Sequence, residues 1–401
     1  MPIENDKKYK LAVVVSHPIQ YQAPFFQLLS KCPELDLKVF FCSKWGLKEY
    51  YDEGFGEKIK WDIPLLDGYD FEFLPNISPL KNPSKFFGLI NPLVINKLKS
   101  RDFNAVWIHG WANLTNWIVI LAALSFKIPI LLRGESNLFN KGSPLKSFFK
   151  RIVLKWLFKR ISGFLAIGKY NAEFYRSYGI SSEKIFLVPY TVNNDYFLRK
   201  AEELVLKKKE LKEKYKIPKE LPVILYSGKL IDVKRPMDLL KAFEVVSKDC
   251  KAALVFVGDG KLKKQLEASA NKNKIKNVFF MGFKNQTELP EFYAMSDVFV
   301  LPSSHEPWGL VVNEAMCFSL PVIVSDKVGA GGDLVREGLN GFIYSAKDVI
   351  SLSNYLHNLL ANETKRKSMS EMSLRIISSW SYNKCVEGIS NCMQAISNSY
   401  R

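Results

Sequence analysis

The sequence predicts an α/β protein made of two Rossmann-like halves, and three observations carry that prediction. Short β-rich runs alternate with helical stretches from about residue 11 to 188, and again from 223 to 344. A stretch dominated by Lys and Glu, residues 199–219, separates the two series. The length of 401 residues and an apolar content of 47% leave ample chain for large cores. Such alternation argues for parallel sheets wrapped by helices, because parallel strands need long crossover connections.

In the first half, the runs 11–16, 35–43, 105–109, 128–133, 164–167 and 185–188 read as strands. Amphipathic or apolar helices are expected around 24–31, 113–126, 145–161 and 170–178. Between 44 and 100, prolines and glycines break the pattern and leave an irregular insertion with about two more strands. The charged segment after Val188-Pro189-Tyr190 reads as a solvated helix or a hinge. Strands 223–227, 252–257, 278–281, 298–301, 322–325 and 342–344 follow, with helices near 236–248 and 261–270. The expected organisation is an N-terminal domain over 1–190, a linker over 191–220 and a C-terminal domain over 221–380.

The net charge of +17 is compatible with nucleic acid, an anionic membrane surface or anionic small substrates. No zinc-type Cys/His cluster and no nucleic-acid motif is visible, so no nucleic acid partner is expected. Residues 1–190 hold 26 Lys and Arg against 16 Asp and Glu, which places most of the excess charge in the first half. The six cysteines, at 32, 42, 250, 317, 385 and 392, are scattered and read as reduced core residues of a cytosolic protein. The segment MPIENDKKYK lacks an apolar signal region, and the nearly apolar run 117–126 is too short to span a bilayer. A cytoplasmic protein is expected.

The most informative stretch is 298–315, VFVLPSSHEPWGLVVNEA. A strand-like run ends in Pro302-Ser303-Ser304, and Glu306 and Glu314 then flank Pro307-Trp308-Gly309. A helix starting near Leu310 puts Glu306 in the loop before it and Glu314 about one turn in. Helix N-terminal amides attract phosphate, and a carboxylate accepts hydrogen bonds from two sugar hydroxyls. The arrangement therefore suits a nucleotide-sugar diphosphate, whereas the plain alternative is a helix with two surface glutamates.

With Ser296-Asp297 before it and Pro321-Val322-Ile323-Val324-Ser325-Asp326 after it, this motif resembles the signature of retaining family 4 glycosyltransferases of the GT-B fold. The resemblance implies two Rossmann-like domains facing a cleft, with a last helix, about 381–401, crossing back onto the N-terminal domain. It implies that Glu306 lies by the transferred sugar and that Glu314 binds the ribose. Gly309 and Leu310 would present amides to the phosphates, while Gly282 and Phe283 would cup the nucleobase. Gly228-Lys229 and Lys234 match a phosphate-binding segment, although Lys229 stands where an arginine is usual and Arg235 where a glycine often follows. Gly258-Asp259-Gly260 resembles a tight strand-to-helix turn of the family.

His109, at the end of its strand, matches a histidine that reaches the donor sugar, or it is structural. His17, Gln20 and Tyr21 occupy the first strand-to-helix loop and are candidates on the acceptor side. Arg133 either meets an acceptor phosphate or forms a simple surface arrangement with Glu135. The chain contains no Asp-x-Asp pair, and lysines with a helix N-terminus can stabilise a leaving diphosphate, so neither a metal nor a cofactor is expected. Residues 141–160, with seven basic and no acidic residues among many apolar ones, either pack on the sheet or also touch an anionic membrane.

The expectation is a retaining glycosyltransferase, a UDP-sugar donor favoured, acting on a glycan or lipid-linked acceptor. A GT-B-like nucleotide-sugar epimerase and a non-catalytic sugar-nucleotide or membrane-binding protein are the alternatives.

Overall fold

The computed structural model of the chain describes residues 8–100, 102–139 and 144–399, without the side chains of 144–147 and 399. The chain forms two compact units. The first holds the residues up to Lys48, Ile63–Pro189 and the chain from Tyr382 onward; the second holds Glu49–Asp62 and Tyr190–Ser381.

Strands, numbered in chain order, are β1 Tyr9–Val15, β2 Leu35–Phe41, β3 Tyr50–Asp52, β4 Glu57–Ile59, β5 Phe71–Phe73, β6 Ala105–His109, β7 Ile130–Arg133, β8 Gly163–Ala166 and β9 Ile185–Leu187. The later ones are β10 Val223–Ser227, β11 Ala253–Val257, β12 Val278–Phe280, β13 Val298–Leu301, β14 Val322–Ser325 and β15 Gly341–Tyr344. The first unit is one parallel sheet in the order β5-β2-β1-β6-β7-β8-β9. Its central strands are buried on both faces, which is why they read as continuous Val, Ile and Leu rather than as alternation. Helix Tyr382–Ser399 closes this sheet: a Cβ on Gly163 would lie 2.4 Å from Cys392 Sγ, and one on Gly388 2.1 Å from the Leu187 carbonyl. The Tyr382 hydroxyl donates to the Tyr21 carbonyl at 2.8 Å.

The second unit is a parallel sheet in the order β12-β11-β10-β13-β14-β15. Helix Pro236–Val246 buries Leu239, Leu240 and Phe243 against Ile224, Leu254 and Val300. The insertion at 44–100 contains three short strands rather than two, and β3 and β4 form an antiparallel hairpin that belongs to the second unit. The stretch expected as a linker is folded into helices Asn194–Leu204 and Lys208–Lys214. Lys212 is buried there because its ammonium donates to the Leu221 carbonyl at 2.6 Å.

Helix Pro144–Phe158 packs one side into the core, as one of the two compatible expectations has it. Leu154, Leu157 and Phe158 enter the core, while Phe148, Phe149, Ile152, Val153 and Trp156 are exposed beside Lys150, Arg151 and Lys155. Lys141 lies outside the described residues. No described helix is long and apolar enough to cross a membrane.

Candidate functional site

In the second unit the chain leaves β10 for β11 and β12 on one side, and β13 lies on the other. Loops that part at such a switch point open a crevice beyond the carboxyl ends of the strands. Gly228 and Lys229 follow β10, Gly282 and Phe283 follow β12, and the Glu306 loop follows β13.

Backbone bonds fix the Glu306 loop. The Ser304 N–H and hydroxyl both donate to the Val233 carbonyl, at 2.8 and 3.1 Å. The Glu306 N–H donates to the Lys327 carbonyl at 2.9 Å, and the Glu306 carbonyl accepts from the Gly329 N–H at 3.0 Å. So held, the Glu306 carboxylate pairs with the Lys234 ammonium, which leaves the short turn Asp232–Lys234. Gly309 stands beside them at φ 98°, and a Cβ there would lie 2.9 Å from Leu301 Cδ2 and 3.2 Å from Glu306 Cγ. Only glycine fits that conformation and that space. Helix Leu310–Cys317 begins directly after it, and no side chain caps its first turn.

Glu314 lies on that helix, 5% exposed, and accepts a hydrogen bond from the Tyr293 hydroxyl at 2.6 Å. Burial pushes its carboxyl up to about 7, against the lowering effect of the Tyr293 bond. Trp308 is a structural peg: its indole donates to Asn313 Oδ1 at 2.9 Å, and its ring stacks on Trp380 at 5.5 Å.

The two lysines expected at a phosphate have different partners. Lys229 donates to both Asp52 carboxylate oxygens, at 2.8 and 3.0 Å, rather than to a glutamate of the motif. Arg235 adopts the left-handed conformation, φ 55°, and donates bidentately to Asp238 at 2.7 and 2.8 Å. A residue at that position needs positive φ, which accounts for the glycine of the family pattern; here the fork to Asp238 holds an arginine in it. Phe283 meets Phe55 edge-on at 4.8 Å and Trp61 at 6.3 Å.

The remaining candidates lie in the first unit. His109 is half-buried, its ring stacks on Trp107 at 5.0 Å, and its buried Nε2 has no hydrogen-bond partner. Burial and then Arg133 push its pKa down to about 3, so the imidazole is neutral near pH 7. Arg133, paired with His109 in register, is only 3% exposed and donates to the Val188 and Pro189 carbonyls at 3.1 and 3.2 Å. That corrects its reading as part of a simple surface arrangement: the residue is buried, with Nη2 held by the carbonyls at the end of its own unit. His17 bonds to the Ser16 hydroxyl at 2.9 Å, and burial lowers its pKa to about 4. Gln20 and Tyr21 are half-buried in the same loop.

Sequence reasoning missed Asp52, Phe55, Trp61, Asp238 and Tyr293. The Asp238 partnership had a signal in the i, i+3 spacing at a helix start. The others join positions between 21 and 228 residues apart in sequence. Among the described residues, no group of three or more His, Cys, Asp or Glu side chains is placed to hold a metal.

Residues 207–374 match the family model described as glycosyl transferases group 1. The UDP-Gal:alpha-D-GlcNAc-diphosphoundecaprenol alpha-1,3-galactosyltransferase of Escherichia coli is 26% identical over 312 residues, 73% of this chain and 76% of that one. The sulfoquinovosyl transferase SQD2 of Arabidopsis thaliana is 35% identical over 151 residues, 37% of this chain and 28% of that one. Across the matches of 27% to 35% identity, this chain spans less than half the length of the relative. The structure of Anabaena Alr3699/HepE in complex with UDP superposes with a TM-score of 0.72 at 17% identity, covering 97% of this chain and 100% of that one. The fold of the two parallel α/β units is GT-B.

Proposed function

We propose, from the premise that residues 207–374 belong to glycosyl transferases group 1, that this chain moves a sugar from a nucleotide-sugar donor to an acceptor hydroxyl with retention of configuration. The observation that carries the proposal is the Lys234–Glu306 pair beside Gly309 and an uncapped helix start, at the switch point of the second unit. Lys234 and the first-turn amides supply positive charge to a leaving diphosphate, so the chemistry requires no divalent metal and no cofactor. Glu314 accepts the ribose hydroxyls and Glu306 lies by the transferred sugar. The acceptor oxygen attacks the anomeric carbon from the donor-facing side as the bond to the diphosphate breaks, and the hydroxyl proton leaves on the departing phosphate oxygen. His109, neutral and half-buried at the end of β6, is a further catalytic candidate.

A UDP-sugar is favoured because one relative is named for UDP-Gal and one structural neighbour holds UDP. A glycan or lipid-linked acceptor is supported by the E. coli relative's diphosphoundecaprenol substrate. The exposed aromatic and basic side of helix Pro144–Phe158 supports peripheral contact with the anionic inner face of the cytoplasmic membrane.

The test is nucleoside diphosphate release from a panel of UDP-, GDP- and ADP-sugars, with EDTA present, with and without a lipid-linked glycan acceptor. Turnover of one donor, lost in Glu306→Ala and Lys234→Ala, is expected. Conversion of the donor without release would point to an epimerase. Binding without any turnover would point to a non-catalytic protein.

A further inference from the structure

The hairpin β3–β4 presents a carboxylate to a cation assigned to the donor's diphosphate. Asp52 Oδ1 closes the hairpin by accepting from the Gly54 and Phe55 N–H groups at 2.8 and 3.0 Å. Both of its oxygens also accept from Lys229 Nζ. Asp52 is mostly buried and Lys229 one-third exposed, so the pair is partly shielded from water.

The docking is close. A Cβ on Gly54 would lie 2.6 Å from Lys229 Cδ, and one on Gly260 2.9 Å from the Gly54 carbonyl. Phe55 places its ring 4.9 Å from the Lys229 ammonium and packs edge-on against Phe283. Asn285 donates to the Lys60 carbonyl at 2.6 Å, and the Thr287 N–H donates to Asp62 at 3.1 Å. The hairpin therefore spans the loops that follow β10, β11 and β12.

We propose that Asp52 sets donor affinity by occupying Lys229 in place of the donor's diphosphate, so that the hairpin Glu49–Asp62 is a latch that a nucleoside diphosphate must displace. The proposal rests on the transferase reading of the site. A carboxylate and a phosphate compete for the same ammonium, and a diphosphate carries the greater charge. Binding therefore transfers Lys229 from Asp52 to phosphate and removes the ion pair that anchors the hairpin to the loop after β10, while Asp52 keeps the Gly54 and Phe55 amides.

UDP affinity is measured by calorimetry for wild type, Asp52→Asn, Lys229→Ala and the double variant. Asparagine keeps the Oδ1 acceptor for the Gly54 and Phe55 amides but not the charge. The expected result is about threefold to tenfold tighter UDP binding in Asp52→Asn, the size of releasing a partly exposed ion pair, and no effect of the same change in the Lys229→Ala background. Unchanged or weaker binding in Asp52→Asn overturns the latch. Limited trypsin digestion of wild type gives a second readout that needs no variant: UDP should speed cleavage after Lys58 and Lys60, and protection there overturns the latch. If no nucleoside diphosphate binds any of the four proteins, the transferase reading itself falls, an outcome distinct from binding that ignores Asp52.

Discussion

Replacing Glu314 with Gln should strengthen the fold at alkaline pH while weakening the site. Each tenfold change in proton affinity is worth about 1.36 kcal/mol. Burial raises this carboxyl from 4.5 to about 7, so ionising it costs the folded state about 3 kcal/mol. A folded pKa above the unfolded one gives stability that is complete below pH 4.5 and is lost as the pH rises through 7. Glutamine keeps an acceptor for the Tyr293 hydroxyl and carries no charge to desolvate. Urea denaturation should therefore find Glu314→Gln more stable than wild type by about 2–3 kcal/mol at pH 8, and by less than about 1 kcal/mol at pH 5. UDP binding should weaken at least about tenfold, as expected when a carboxylate that receives two sugar hydroxyls is neutralised. A stability gap that does not change with pH, or a variant less stable than wild type at pH 8, would refute the assignment of a strained buried carboxylate.

Gly309→Ala should cost about 1–3 kcal/mol and abolish donor turnover, because the new methyl meets Leu301 and Glu306 in a left-handed backbone; chemical denaturation and the donor assay check both. Trp380→Ala should cost about 2–3 kcal/mol by removing the ring stacked on Trp308, read as a lower thermal midpoint. The depressed pKa values of His17 and His109, about 4 and about 3, mean that the unfolded chain binds more protons below pH 6.5. Stability should therefore fall as the pH drops from 6.5 towards those values, and an acid titration of His109→Gln should show a shallower loss. Removing divalent ions with EDTA should leave turnover unchanged in the donor assay.

The parallel strands were legible because burial on both faces writes runs of Val, Ile and Leu, and each central strand lies within a few residues of its sequence reading. The helix start at Leu310 was legible because Gly309 punctuates it. What was hidden is long-range. Nothing near Asp52 announces Lys229, and the Lys- and Glu-rich stretch gave no sign that Lys212 is buried on a carbonyl. Helices Val349–Ala361 and Glu363–Ser378, each capped by an Asx side chain, fell outside the elements read from alternation. Arg133 misled because an arginine after a strand looks solvated, and only the fold brings the Val188 and Pro189 carbonyls to it.

Helix Tyr382–Ser399 packs on β8 and β9 of the first unit, although it follows all of the second unit in the chain. During synthesis, Gly163, the Leu187 backbone and the Val188 side chain must wait for their cover until nearly two hundred later residues have emerged. The second unit, whose segments are all complete by Ser381, can assemble first. A ribosome-stalled chain ending at that serine should hold a protease-resistant second unit beside a first unit still open to cleavage, reversing the usual N-to-C order of domain maturation.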